Sequence, residues 1–174
     1  MTAPTSHQAT ENPRAPASAA LTTLLLFCPS TTAEPAALAN RLALAGIRLV
    51  VRPHALAEQA APSAADVQQL RSHIQEVAPV LVLASSPWPL ALSALAATRQ
   101  AQRPFIYCID QALGHDAAEL ERHATVAQGA DCVLLGSADQ HAALVAQGVA
   151  PEKLRLAADV QAQATVVLEF LRVG

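Results

Sequence analysis

Aromatic side chains are nearly missing from this 174-residue chain. They make up 3% of it, although hydrophobic residues make up 52%. The core must therefore be built from Ala, Leu and Val, with helices able to lie close to whatever they pack against. Basic runs are also missing: 11 Lys and Arg stand against 14 Asp and Glu, a formal net charge of −3. That excludes nucleic acid as the main partner, because phosphate binding needs clustered cations. The turn after the first apolar run, Cys28 to Pro35, contains no glycine. Neither a G-x-G-x-x-G nor a P-loop backbone approach is possible there, so no nucleotide cofactor is expected. Cysteines number three, Cys28, Cys108 and Cys132, with no C-x-x-C or Cys/His spacing. They read as buried thiols on strands in a reducing, cytoplasmic compartment. Charge is absent between Glu76 and Arg99, long enough to suggest a membrane span, but Pro79, Pro87, Pro89 and the Ser85-Ser86 pair break the stretch. Arg14 followed by Leu21 to Cys28 imitates a leader peptide, but its apolar part is short and no clean cleavage site follows.

What is present is an alternation. Residues 1–20, rich in Ala, Pro, Thr and Ser, are expected to form a flexible tail, and residues 21–174 one domain. Thr22 to Cys28 is apolar on both faces, as a central parallel strand should be. Thr31 and Glu34 predict a capping box, with a helix running to about Ala45 and ended by Gly46. Ile47 to Arg52 is a second strand. Ser63 and Asp66 open a helix whose apolar face is Val67, Leu70, Ile74 and Val77. The stretch Pro79 to Asp110 then reads as strand (Val80 to Ala84), helix (Pro87 to about Gln102) and strand (Phe105 to Ile109), a βαβ unit. Asp116 with Glu119 predicts a boxed helix to about Gln128, and Cys132 to Leu135 a strand. Ser137 with Gln140 predicts a boxed helix ending near Gly148, and Leu154 to Ala157 a short strand. A last helix spans Ala162 to Val173, with Val166, Val167, Phe170 and Leu171 as its apolar face. The fold class is therefore α/β: a three-layer, Rossmann-like, doubly wound and mainly parallel six-stranded sheet.

In such sheets ligands bind outside the carboxyl ends of the strands. The residues expected at that edge are Ser30 and Thr31 (with Thr32) after the first strand, Ser85 and Ser86 after the third, Asp110 after the fourth and Ser137 after the fifth. Hydroxyls at a helix start hold a small anion or a sugar hydroxyl, although capping the helix is their commoner role. Asp110 is the one weak catalytic candidate, as a carboxylate able to accept from sugar hydroxyls or to act as a base. Arg52-Pro53-His54 ends the second strand at the same edge. His115, Glu119 and His123 fall four apart on one helix face, the spacing of a metal site, but no ligand from another side accompanies them, and no metal is expected. No G-x-S-x-G elbow is present.

Ser86-Pro87, then Ile106-Tyr107-Cys108-Ile109-Asp110, then Leu135-Gly136-Ser137, and above all Gly148-Val149-Ala150-Pro151-Glu152-Lys153-Leu154-Arg155-Leu156 follow one another in a familiar order. The segment Pro79 to Asp159 resembles the N-terminal, acceptor-side domain of GT-B-fold glycosyltransferases of the family-four type. The chain departs from that pattern at several points. Leu83 and Ser85 stand where the family often has histidines, Asp110 where it has a strand-end histidine, and Ala157-Ala158-Asp159-Val160 where it has a Pro-Asn-Gly linker. No second, nucleotide-sugar-binding domain follows in this sequence.

The resemblance implies an acceptor-side domain that is not active alone: an accessory or regulatory partner in glycan or polysaccharide assembly. One chain of a two-chain glycosyltransferase, with Asp110 essential, is a second reading. A stand-alone small-molecule-binding or interaction module is a third. A protein partner or homo-oligomer is expected, with a sugar or small anion as the ligand.

Overall fold

The computed structural model describes residues 21–29, 34–54, 61–110, 112–113 and 116–173. The element order is β1 (Thr22–Cys28), α1 (Glu34–Leu44), β2 (Ile47–Pro53), α2 (Ala64–Val77), β3 (Leu81–Ser85), α3 (Trp88–Gln100) and β4 (Phe105–Ile109). It continues with α4 (Ala117–Gly129), β5 (Cys132–Leu135), α5 (Ala138–Ala146), a 3-10 turn (Pro151–Lys153), β6 (Leu154–Leu156) and α6 (Val160–Val173). The six strands form one sheet in the order β2-β1-β3-β4-β5-β6, with every pairing parallel. The expected Rossmann-like α/β architecture is what forms.

Strand order and handedness decide which helix covers which face. The chain steps one way from β1 to β2 and the other way from β2 to β6, so right-handed crossovers must put α1 opposite α2 to α5. Leu70, Ile74, Leu90, Ala94, Val126 and Leu144 accordingly pack on Leu25, Phe27, Val82, Phe105 and Tyr107. On the other face Leu38 and Leu42 of α1, joined by Ala164 and Val167 of the returning α6, pack on Leu24, Leu26, Leu83 and Ile106. Odd and even residues of β1 thus serve different layers, as the pleat requires. Each fully buried Leu or Phe here contributes about 1.5–3 kcal/mol.

The scarcity of aromatics shows in the spacing of the layers. Helix α3 buries Ala91, Ala94 and Ala97 completely. At the end of α4, a Cβ on Gly129 would lie 2.5 Å from Leu95 Cδ2 of α3, so a larger residue there would have to displace the Leu95 side chain.

Local signals set most boundaries. Both sides of the capping box form at Ser63–Asp66 and at Ser137–Gln140. The expected Asp116–Glu119 box is only half made. Asp116 Oδ1 accepts from Ala118 N at 3.0 Å, while Glu119 turns to His123 instead, 3.7 Å away. Helix α1 does begin at Glu34, while Thr31, the expected partner in its capping box, lies outside the described residues. Strand β3 lies one residue later than expected, so Ser85 belongs to the strand and does not end it. Pro87 is the N-cap of α3 and follows a cis peptide bond. Helix α6 begins at Val160, where Asp159 Oδ1 accepts from Ala162 N at 2.8 Å. Its buried residues are Ala164 and Val167, whereas Val166, Phe170 and Leu171 are half-buried at the flank.

Candidate ligand crevice

The direction of winding reverses between β1 and β3, and the loops after these strands must diverge to opposite faces. A crevice opens at their carboxyl ends for that reason. Phe27 pairs with Ala84 and Ser85 with Cys108, so the next residue of β1, Cys28, comes level with both. Cys28, Ser85 and Cys108 form the floor of the crevice, and Leu26, Pro35 and Leu38 its apolar wall. Asp110 and Gln163 stand at its rim. The crevice is partly open to solvent and leaves about 30 Å³ for the centre of a water-sized sphere, above the roughly 10–15 Å³ that one water needs.

Ser85 gives the crevice its polar character. The residue is 8% exposed, and its Oγ is buried without a hydrogen-bond partner. A hydroxyl left so costs about 1–3 kcal/mol, and groups of this kind mark places where something else completes the bonding. The Cys108 thiol beside it is chemically quiet. Burial, reinforced by the charge of Asp110, pushes the Cys108 thiol far above its ordinary range, and burial also raises Cys132. The protonated thiol is a weak nucleophile. Cys28 and Cys108 are separated by a whole strand, about 9.6 Å at the usual spacing, too far for a disulfide. Among the described residues no group of His, Cys, Asp and Glu has a metal-holding arrangement.

The expected site residues are only partly brought together. Ser85 and Asp110 meet at the crevice. Ser30 and Thr31 lie outside the described residues. Ser86 points to the opposite face of the sheet, buried beside the Tyr107 hydroxyl. Ser137 belongs to a different and larger hollow of about 490 Å³, between the starts of α4 and α5, lined also by Leu113, Leu120, Asp139 and Gln140. Its Oγ accepts from Gln140 N at 3.3 Å, and Gln140 Oε1 accepts from Gly136 N at 2.7 Å and Ser137 N at 3.0 Å. The polar groups of that hollow therefore hold the helix start together. Arg52 pairs with Glu76 of α2 at 3.2 Å and does not line the crevice.

The i, i+4 pair Glu119 and His123 does bring polar groups together, but not as metal ligands. His123 is buried, and its Nδ1 lies 2.5 Å from the Tyr107 hydroxyl at the centre of β4. Its Nε2 faces Glu119, which reaches solvent. The neutral Nε2–H tautomer lets Nδ1 accept from Tyr107 and turns Nε2–H towards Glu119. Burial lowers the His123 pKa, with Glu119 opposing. Burial likewise raises Tyr107 far out of reach of ordinary pH. The sequence-level clue to this pair was a lone tyrosine inside an apolar strand, and it needed the β4–α4 packing to become a pair. His115 lies outside the described residues.

No family model matches the chain, and no curated protein is significantly similar to it in sequence. Solved structures do share its fold. The S. aureus MnaA–UDP co-structure superposes with a TM-score of 0.63 at 17% identity, over 79% of this chain and 44% of that one. The UDP-GlcNAc 2-epimerase from Neisseria meningitidis bound to UDP-GlcNAc gives 0.61 at 14% identity, over 87% of this chain and 50% of that one. Anabaena HepE in complex with UDP gives 0.53 at 17% identity, over 77% and 43%. The chain thus spans about half the length of the solved structures it matches, and its fold is that of a GT-B-like half.

Proposed function

We propose that this chain is the acceptor-side half of a GT-B-like system, of the family-four glycosyltransferase type, and that it does not transfer sugar by itself. It acts in the cytoplasm as an accessory or regulatory partner in glycan or polysaccharide assembly, with a nucleotide-sugar-binding half supplied from elsewhere. The observation that carries this reading is the make-up of the crevice at the β1/β3 switch point. It offers a buried hydroxyl without a partner, a carboxylate and an amide, and no Lys or Arg lines it. In the sequence, residues 30–33, 111, 114 and 115 contain no Lys or Arg either. A nucleotide diphosphate needs cations or a glycine-rich backbone cradle, and Asp110 repels it. A hydroxyl-rich, uncharged group suits the same acceptors, as a donor to Asp110 and Ser85.

The solved neighbours support this reading as proteins described with UDP, UDP-GlcNAc or UDP-glucose bound, each about twice as long as the matched region. A likeness in fold gives no residue roles, so the crevice chemistry must stand on its own. The test is a thermal-shift titration with simple hexoses, with UDP and with a UDP-sugar, since a ligand that binds only the native state raises its stability. Stabilisation by a hexose and none by UDP is expected. Stabilisation by UDP alone would overturn the assignment of halves. Sugar transfer by the isolated chain, lost in Asp110→Ala, would replace the accessory role with an enzymatic one.

A further inference from the structure

We infer that the group seated in the crevice is a protonated primary amine, so that the ligand class is an amine-bearing sugar or a comparable small amine. This rests on the reading of the crevice as a binding site. The balance of donors and acceptors is the first reason. Ser85 Oγ has no partner, and the Gln163 amide and the Asp110 carboxylate line the crevice with it, each of the three groups being able to accept a hydrogen bond. A carboxylate has about four acceptor sites, so Asp110 accepts from a ligand while keeping its interaction within the fold. An ammonium group carries three donors and no acceptor. It matches three acceptors where a hydroxyl, with one donor, leaves two of them unserved.

Size points the same way. The centre of a water-sized sphere has about 30 Å³ to move in, which is room for a small terminal group such as an ammonium. The ligand inserts a terminal group between the sheet, α1 and α6 and leaves its body outside.

The local field is the third reason. Helices α1 and α6 both begin beside the crevice, and each N-terminus acts as about half a positive charge. Against these stand two full negative charges, Asp110 at the rim and Asp159 at the start of α6. Farther along the edge, Asp66, Asp116 and Asp139 occupy the starts of α2, α4 and α5. Arg52, near the end of β2, is paired with Glu76. The sum remains negative, which favours a cation and disfavours a phosphate.

Calorimetric titration of the full chain with D-glucosamine, D-glucose and N-acetyl-D-glucosamine tests this at about pH 6.5, below the range in which such amines lose their proton. The expected result is glucosamine binding about tenfold more tightly than glucose, since one added bond is charge-assisted. Acetylation of the amine should abolish the preference, and Asp110→Asn should reduce glucosamine to the affinity of glucose. Equal affinity for all three sugars would overturn the amine inference and leave the crevice as a sugar site. Failure of all three to bind would overturn the crevice reading itself. If Asp110→Asn does not fold, Gln163→Leu on the half-exposed first turn of α6 makes the same comparison, and an undiminished amine preference there refutes the three-acceptor arrangement.

Discussion

The two ends of the sheet use the same kinds of residue for different purposes. At the carboxyl edge, acidic side chains sit at helix starts and at the end of β4, around a crevice whose buried Ser85 hydroxyl lacks a partner. At the amino edge, charged side chains close the structure. Lys153, the only lysine in the chain, donates to the carbonyls of Gln128 at 2.8 Å and Ala130 at 2.9 Å, where α4 ends. Arg99 donates to Gly129 O at 3.2 Å, and Asp131 accepts from Phe105 N at 2.8 Å. Cations at helix C-termini and anions at helix N-termini complement the helix dipoles, so both edges follow one electrostatic rule. At the amino edge these bonds go from charged side chains to the backbone of another element. Polar groups tied to backbone hold a fold, whereas the buried Ser85 hydroxyl opens onto a crevice with no partner of its own.

That contrast can be broken by substitution. Lys153→Ala at the amino edge should cost the most, about 1–2 kcal/mol in urea denaturation, because two carbonyls at the end of α4 lose a charged donor. A loss close to zero would mean that those bonds are only surface decoration. The interior between the edges should answer to pH. Burial holds the His123 pKa below its ordinary 6.5 in the fold. Below that pH the unfolded chain therefore binds a proton that the folded chain refuses. Stability is full above about pH 6.5 and declines as pH falls towards the folded value. His54 is lowered by burial as well and adds in the same direction. A melting-temperature profile should thus fall on the acid side, and His123→Gln should flatten it. An unchanged slope in that variant would assign the effect to other groups. The smallest change is expected at the carboxyl rim. Asp110→Asn should alter stability by no more than about 0.5 kcal/mol, as exposed sites do, while changing ligand preference. A large destabilisation would make Asp110 part of the scaffold and erase the distinction between the edges.

Much of this was legible in particular residues. Ser63 and Asp66, and Ser137 and Gln140, announced helix starts because a capping box is a contact three residues long. The doubly apolar runs at Leu24–Phe27 and Leu81–Ala84 announced central parallel strands. The same locality explains what was misread. Ser85 and Ser86 look equivalent in sequence, yet the pleat sends one to the crevice floor and the other towards Tyr107 on the far face. Glu119 has the spacing of a capping partner for Asp116, but His123 one turn on competes for it. Ser137 follows β5 at the same edge of the sheet but lines a different hollow. Its hydroxyl was already engaged in capping α5.

The sequence by itself determined the elements, their alternation, and hence a parallel sheet with helices on both faces, because periodicity, caps and breakers act within a few residues. Only the tertiary structure decided which ends met. The reversal between β1 and β3 set Cys28, Ser85 and Cys108 in one row, and the packing of α4 on β4 joined His123 to Tyr107. The return of α6 across α1 placed Gln163 over the crevice. These contacts depend on strand order and handedness, which arise from the packing of the whole sheet and leave no short-range mark in the chain.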